Sequence, residues 1–374
     1  MTSIHQHKTK KHRLKLLILC QQQFGYHIDT YFYCKYLSAR YNITYLCWDY
    51  SLPKQAMEGI TIVYISRTGN LLVRNLRYML AAMSYLRHNC VDVCFNPYFR
   101  GCSLLRLFFP RQKFVLDIRS GYIKQHILSG KVYNFFLRLE SIIFSHVTIV
   151  SMSLARKLKL QKKISILPLG SISISDNIKT FNDLKFLYVG TLSNRQIEKT
   201  IHGVSLFLQK QQIKTFSFLY TIIGDGDHGE LEQLKALVNK LNLSCQVKLL
   251  GRIPFDQLKP YFDTHNIGVS FVPIIPCFDF QPVTKTFDSL LAGMPVIATA
   301  TYENKLVINE NNGVLIDDTI EGFASGIEEI HKKQGQYKSQ NIRAAAQIYH
   351  WRLIVSNLEK YLLNVYNSKQ PIEE

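Results

Sequence analysis

Gln281–Thr299 reads QPVTKTFDSLLAGMPVIAT, and its order of residue types sets how the rest of the chain is parsed. Pro282 lacks an N–H and has a preset φ, which suits the first position of a helix. Apolar residues then recur with helical spacing until Gly293 and Pro295 stop the helix, and VIATA forms a strand. Lys285 and Asp288 stand three apart, on one face near the amino end. Two opposite charges so placed are either a surface ion pair or a grip on a ligand. A short helix feeding an apolar strand is the repeating unit of a parallel, doubly wound sheet.

The same alternation extends in both directions. Upstream, KFLYVGTL, SFLYTIIGDGD, QVKLLGRIP and IGVSFVPII read as strands, separated by EKTIHGVSLFLQKQ, GELEQLKALVNKLNL and FDQLKPYFDTH as helices. The polar stretch SISISDNIKTFNDL reads as a linker, and a second alternating series precedes it. That series runs from LKLLILCQQ through ITYLCWDY, ITIVYIS, VDVCFNP, KFVLDIRS and HVTIVS to ISILPLG. The helix DTYFYCKYLSARY starts near Asp29 or Thr30, and NLLVRNLRYMLAAMSYLRHN is a long amphipathic helix capped by Asn70. RAAAQIYHWRLIVSNLEKYLLNVYN is helical and long enough to cross back towards the first series. The boundaries expected are 1–170, a linker at 171–184, a second domain at 185–345 and a returning helix at 346–374. A chain of 374 residues fits two cores better than one.

Charge is distributed unevenly. Residues 1–180 hold 26 Lys and Arg against 7 Asp and Glu, whereas 181–374 hold 19 against 20. The whole net charge of +18 therefore resides in the first half, which points to an anionic partner there. Eight cysteines with no C-x-x-C pair and no zinc-like spacing read as reduced thiols of a cytoplasmic protein. KKHRLKLLILC begins like a secretion signal but lacks a small-residue cleavage site, so it reads as a first strand. No apolar run is long enough to span a bilayer. Arg74, Arg77 and Arg87 flank Leu72, Leu76, Met79, Leu80 and Met83. That helix either packs on its own sheet or lies in a membrane interface; RGCSLLRLFFPRQK is a second basic and apolar stretch.

Doubly wound sheets bind ligands at the carboxyl ends of their strands. Three such places stand out in the second half. Gly190 ends a strand and Arg195 falls in the following turn, where it is either a phosphate ligand or a solvated residue. Gly224 and Gly226 flank Asp225 after another strand, which by itself suits a tight turn. Lys285 could neutralise a phosphate while Asp288 accepts hydrogen bonds from a ribose diol.

FLYVGTLSNRQIEKTI, IIGDGDHGELEQL through LLGRIPFDQL, and QPVTKTFDSLLAGMPVIAT resemble motifs of glycosyltransferase family 4, the retaining GT-B enzymes of the bacterial surface-polysaccharide type. LDIRSGYI, VTIVSMSLARKL and ISILPLG look like that family's acceptor domain. The resemblance implies two Rossmann-like domains facing across a cleft, an α/β fold, with the last helix crossing back. It implies that Asp288 holds the ribose, that Lys285 and Arg195 bind the diphosphate, and that Arg252 and Ile253 lie in the loop reading the base. Gly190, Gly224, Asp225, Gln281, Pro282, Val283 and Thr284 would line the same donor site. The chain departs from the pattern in three places. Phe280 stands where the first glutamate of the E-x7-E element belongs, with Asp279 adjacent as a substitute. Thr191 replaces a customary arginine, and Gly25 is the only glycine in a loop that normally has a pair. Arg119 aligns where many members have a histidine, with Asp117 two residues earlier; either they contact the acceptor or the transferred sugar, or they form a buried ion pair at the sheet end. No metal or other cofactor is expected, since the DGD at Asp225–Asp227 sits where the family has a turn and no other D-x-D metal element is obvious.

The partners implied are a nucleotide-diphosphate sugar, a polyprenyl-diphosphate-linked glycan acceptor and an anionic membrane surface, but no nucleic acid. The location implied is cytoplasmic, peripheral on the inner face of the cytoplasmic membrane. A GT-B sugar-nucleotide epimerase and a non-catalytic GT-B partner subunit are the alternatives.

Overall fold

The structure is a computed structural model that describes residues 13–122, 127–160, 164–210 and 217–368. The basic start of KKHRLKLLILC and residues 369–374 of the expected last segment lie outside them.

Seven strands form the first sheet: β1 (Leu14–Leu19), β2 (Tyr41–Asp49), β3 (Ile60–Ser66), β4 (Val93–Pro97), β5 (Phe114–Ile118), β6 (His146–Ile149) and β7 (Ser165–Ile166). Their spatial order is β3-β2-β1-β4-β5-β6-β7, and every pairing is parallel. Successive residues of one strand enter two different cores, as the two-residue period requires. Leu17, Leu19, Leu46 and Trp48 join Tyr78, Ala82, Leu86, Leu105 and Leu137 from helices Leu71–His88, Ser103–Phe108 and Ile127–Ile143. Leu16, Ile18, Ile43 and Tyr45 face the opposite way, against helices Ile28–Leu37 and Trp351–Asn367. Coverage on both faces is why these strands read as continuous apolar runs.

The second sheet holds β8 (Leu184–Val189), β9 (Phe218–Ile223), β10 (Val247–Leu249), β11 (Ile267–Ser270), β12 (Val296–Thr299) and β13 (Gly313–Ile316). Its order, β10-β9-β8-β11-β12-β13, is again wholly parallel. The last helix returns to the first domain, where Trp351 is buried and its ring stacks on Phe32 at 5.4 Å. The two crossings touch: Ser171 N–H donates to the Tyr349 carbonyl and Trp351 N–H to the Ser171 carbonyl, both at 2.9 Å.

The helix of the opening stretch runs Thr284–Leu291 with Val283 as an extended N-cap. Pro282 therefore precedes the cap, a correction to its expected place at the first helical position. The Val283 carbonyl accepts the Thr286 N–H, and Pro282 fixes the extended approach to that turn. Arg343 clasps the other end. Its guanidinium donates to the carbonyls of Leu291 and Ala292 and to those of Ser175, Asp176 and Asn177 in the linker. A cation at a helix carboxyl end suits the dipole, and this one ties the helix to the interdomain crossing.

Helix Leu71–His88 begins as read, with the Asn70 side chain accepting the Val73 N–H. It buries Tyr78, Ala82 and Leu86, while Leu72, Leu76 and Leu80 are exposed. Among the described residues no helix is long and apolar enough to cross a membrane.

Candidate functional site

The carboxyl ends of β8 and β9 come together through two glycines. Gly190 N–H donates to the Ile223 carbonyl, and Gly224 N–H to the Gly251 carbonyl. A Cβ on Gly224 would lie 1.8 Å from the Gly190 carbonyl oxygen, so no side chain fits there. A Cβ on Gly190 would meet the Lys285 Cε at 3.2 Å. The glycines thus leave room for the lysine and for close approach of the backbone. The loop after Gly190 is laced to the turn after Gly224. Leu192 N–H donates to the Asp225 carbonyl, and Asp227 N–H to the Ser193 hydroxyl.

Lys285 is the second residue of its helix and is 8% exposed. Its ammonium lies 4.7 Å from the centre of the Tyr188 ring and 3.4 Å from the Tyr188 hydroxyl. Burial, with Arg195 nearby, pulls it down to about 7. Burial pushes Asp288 up to about 7, against the Ser171 hydroxyl that donates to its carboxylate. No ion pair among the described residues joins Lys285 to Asp288. The two charges are therefore not a surface pair: one faces the glycine turn and the other the interdomain crossing. A cation near a helix amino end also works against the dipole, and an anion arriving there relieves both strains.

Arg195 supplies a second cation. Its guanidinium carbon stacks 4.1 Å from the Phe278 ring centre, and its buried Nε has no hydrogen-bond partner. Asn194 and Gln196 on either side take left-handed backbone, with φ of 58° and 55°. Non-glycine residues adopt that conformation at a cost, which the loop accepts in holding Arg195 over Phe278. Burial lowers its basicity, partly offset by Tyr188 and Cys277.

Residues 183–333 match the family model described as Glycosyl transferases group 1. The whole chain superposes on sucrose-phosphate synthase from Thermosynechococcus elongatus at TM-score 0.76 and 15% identity, covering 96% of this chain and 100% of that one. A glycosyltransferase from Rickettsia africae gives 0.72 and 15%, with the same coverage. Anabaena HepE in complex with UDP gives 0.69 and 14%, covering 94% and 100%. The fold is GT-B. A search of curated protein sequences finds no match.

The remaining residues expected to line a donor site fall as follows. Thr191 is exposed, and its carbonyl accepts the Tyr188 hydroxyl at 2.7 Å. Arg252 is exposed in the loop after β10, while Ile253 packs with Leu258 and Phe262. Thr284 opens the lysine helix. Asp279 accepts the Tyr302 N–H at 2.7 Å, so its carboxylate caps the next short helix. That contact occupies one oxygen of the carboxylate expected to act as the substitute. Phe280 stacks on Tyr302 at 5.3 Å, with the Lys157 ammonium 5.0 Å from its ring centre.

Among the described residues several side-chain contacts join the GT-B lobes, Lys157 over Phe280 among them. Gln281 donates to the Arg119 carbonyl at 3.0 Å, Ser153 to Glu303, Lys157 to the Pro276 carbonyl and Ser171 to Asp288. Beneath them, Arg119 donates to Asp29 at 2.6 Å and to the carbonyls of Leu167 and Pro168. Asp117 is 0% exposed, 3.8 Å from Arg119, and accepts the Thr148 hydroxyl. Burial raises it to about 6, against Arg119 and Thr148. Of the two readings of this pair, the geometry matches the buried ion pair, with the Arg119 donors already engaged. Gly25 turns left-handed (φ 89°) in the loop after β1.

Tyr188, Phe278 and Ser171 were not foreseen. Tyr188 sits two residues before Gly190 in FLYVG, so a strand-end aromatic next to a glycine was a usable signal. Ser171 comes from the linker, 117 residues from Asp288, and nothing local announces that contact.

Proposed function

We propose that the chain transfers a sugar from a nucleotide-diphosphate sugar to an acceptor hydroxyl, as a retaining, metal-independent glycosyltransferase of family 4. One observation carries the reading: Lys285 packs against the strand-end Gly190, Arg195 lies on the Phe278 ring close enough to depress the lysine, and among the described residues neither has a carboxylate in ion-pair contact. A diphosphate would satisfy both. As it departs from the sugar, negative charge grows on its oxygens, and fixed cations in a water-poor cleft stabilise that charge. Asp288 would accept from the pentose diol after exchanging its Ser171 partner. Asp117 and Arg119 act as positioning residues, holding the rim whose carbonyl receives Gln281. HepE is described with UDP, with UDP and glucose, and with UDP-glucose, which makes UDP the first nucleotide to test.

Calorimetry at pH 8 in two buffers of different ionisation enthalpy tests the donor site. Free Lys285 is mostly neutral above 7 and Asp288 mostly ionised. A bound diphosphate raises the lysine, so UDP binding takes up close to one proton, and affinity falls as pH rises from 7. Lys285→Met removes the uptake. Failure of every nucleoside diphosphate to bind overturns the proposal.

The acceptor is proposed to be lipid-linked, with the first domain peripheral on the inner face of an anionic cytoplasmic membrane. Leu72 and Leu76 of the long helix, and Leu107 and Phe108 of its neighbour, form an exposed apolar surface on the basic domain. Co-sedimentation with vesicles containing phosphatidylglycerol should be strong and salt-sensitive. Equal recovery with neutral vesicles would count against it.

A further inference from the structure

We propose that Trp48, Arg67 and Arg74 form a second anion site, in the first domain, that receives a phosphate group of the acceptor. The identity of the acceptor rests on the glycosyltransferase reading; the site itself does not. Trp48 lies at the end of β2, Arg67 follows β3 directly, and Arg74 is the fourth residue of helix Leu71–His88. All strands of this sheet run in parallel, so these ends share an edge with the end of β5, where Arg119 meets Gln281 of the other domain. Since β3 is the outermost strand, the group stands at the cleft rim, on the side remote from β7 and the linker.

The Arg67 guanidinium carbon lies 4.3 Å from the Tyr50 ring centre and 5.8 Å from that of Trp48, and the Arg74 carbon lies 5.6 Å from Trp48. Both guanidiniums thus lie against the same indole, which offsets part of the cost of burying them. Among the described residues neither arginine is in an ion pair. Asp49, the acid that ends β2, is taken by Lys54 at 3.2 Å and by the Ser51 N–H at 2.8 Å.

The unmet hydrogen bonds are all of one kind. Nε of Arg67, Nε of Arg74 and the indole N–H of Trp48 are buried without partners, and Trp48 is only 6% exposed. Each of these groups can donate and none can accept. Buried donors left unsatisfied are costly, and three in one place call for an acceptor-rich ligand. The helix adds to this, for its first turn contains no acid and Arg74 opposes its dipole. Arg77 fixes the turn that carries Arg67 by donating to the carbonyls of Ser66 and Thr68. A phosphate ester offers several oxygens to planar arginine donors. Leu71, Leu72 and Leu76, exposed on the same helix, would lie beside the chain of a lipid phosphate.

The test titrates geranyl phosphate and inorganic phosphate into the full chain in the presence of saturating UDP, which covers the donor site. The wild type is compared with Arg67→Gln/Arg74→Gln and Arg67→Lys/Arg74→Lys. The glutamine variant should lose at least tenfold in geranyl phosphate affinity with UDP affinity unchanged, and the lysine variant should recover part of it. Tighter binding of geranyl phosphate than of inorganic phosphate identifies a lipid source, and equal binding a soluble one. Tryptophan fluorescence, to which only Trp48 and Trp351 contribute, should also shift on phosphate addition in the wild type and not in the glutamine variant. Phosphate binding that ignores the substitutions, or an unchanged spectrum, overturns the site. Wild type that binds phosphate through these arginines but no UDP refutes the donor reading and leaves this site standing.

Discussion

Arg195→Ala lowers the kcat/KM for sugar transfer by about 10²–10³, the usual cost of removing one preorganised group from developing negative charge. Lys285→Met has an effect of the same order, and the double variant falls short of the product because the two cations share one ligand. Both are read by release of UDP in the presence of an acceptor. The lysine variant carries a second signature. Burial holds Lys285 at about 7 against an ordinary value of 10.5, so the unfolded chain keeps a proton that the folded one tends to lose. The penalty is fully present below 7 and fades as pH rises towards 10.5. Removing the lysine should therefore raise the unfolding midpoint at neutral pH while depressing turnover. A residue kept for packing would not show that combination. Unchanged turnover in both single variants would defeat the assignment. UDP binding with no transfer to any acceptor would instead mark a non-catalytic partner subunit, the role that Phe280 keeps open.

Much of this fold was legible because parallel strands covered on both faces must be apolar along their length, and turn residues punctuate them. KFLYVGTL and KFVLDIRS could hardly be anything else. Lys285 and Arg195 were legible for a similar reason, since strand ends and helix starts are local features. What escaped the sequence was whatever depends on distant pairing. Arg119 was singled out, but its partner Asp29 lies 90 residues earlier, in a helix start where an acid has a local explanation. The long helix Leu71–His88 is amphipathic but carries leucines on more than one face. Its periodicity could not show that Tyr78, Ala82 and Leu86 turn inward while Leu72, Leu76 and Leu80 face out. Trp48, Arg67 and Arg74 belong to three separate elements, and only the parallel order of β2 and β3 brings them together.

Arg119→Met should cost about 3–5 kcal/mol of stability at pH 8, the range for breaking a buried pair by removing one partner. Asp29 and Asp117 are 5% and 0% exposed, and the arginine also satisfies the Leu167 and Pro168 carbonyls. Methionine keeps the volume of the side chain but leaves Asp29 and two carbonyls without their donor and Asp117 without its nearby cation. The sign of the pH dependence follows from Asp117. Its folded value, about 6, is above the ordinary 3.8, so between those values the folded chain binds more protons than the unfolded one. Its ionisation therefore penalises the fold above 6, and the penalty is relieved as pH falls towards 3.8. Without Arg119 the carboxyl rises further and the relief begins at higher pH. The gap between wild type and variant, measured as the shift in urea midpoint, should narrow from pH 8 to pH 5.5. A second substitution, Asp29→Asn, should recover part of the loss at pH 8, because it removes the charge that the arginine had neutralised. Equal midpoints for wild type and Arg119→Met at pH 8 would show that the guanidinium does not hold this corner. The group would then return to contention as one that meets the acceptor directly.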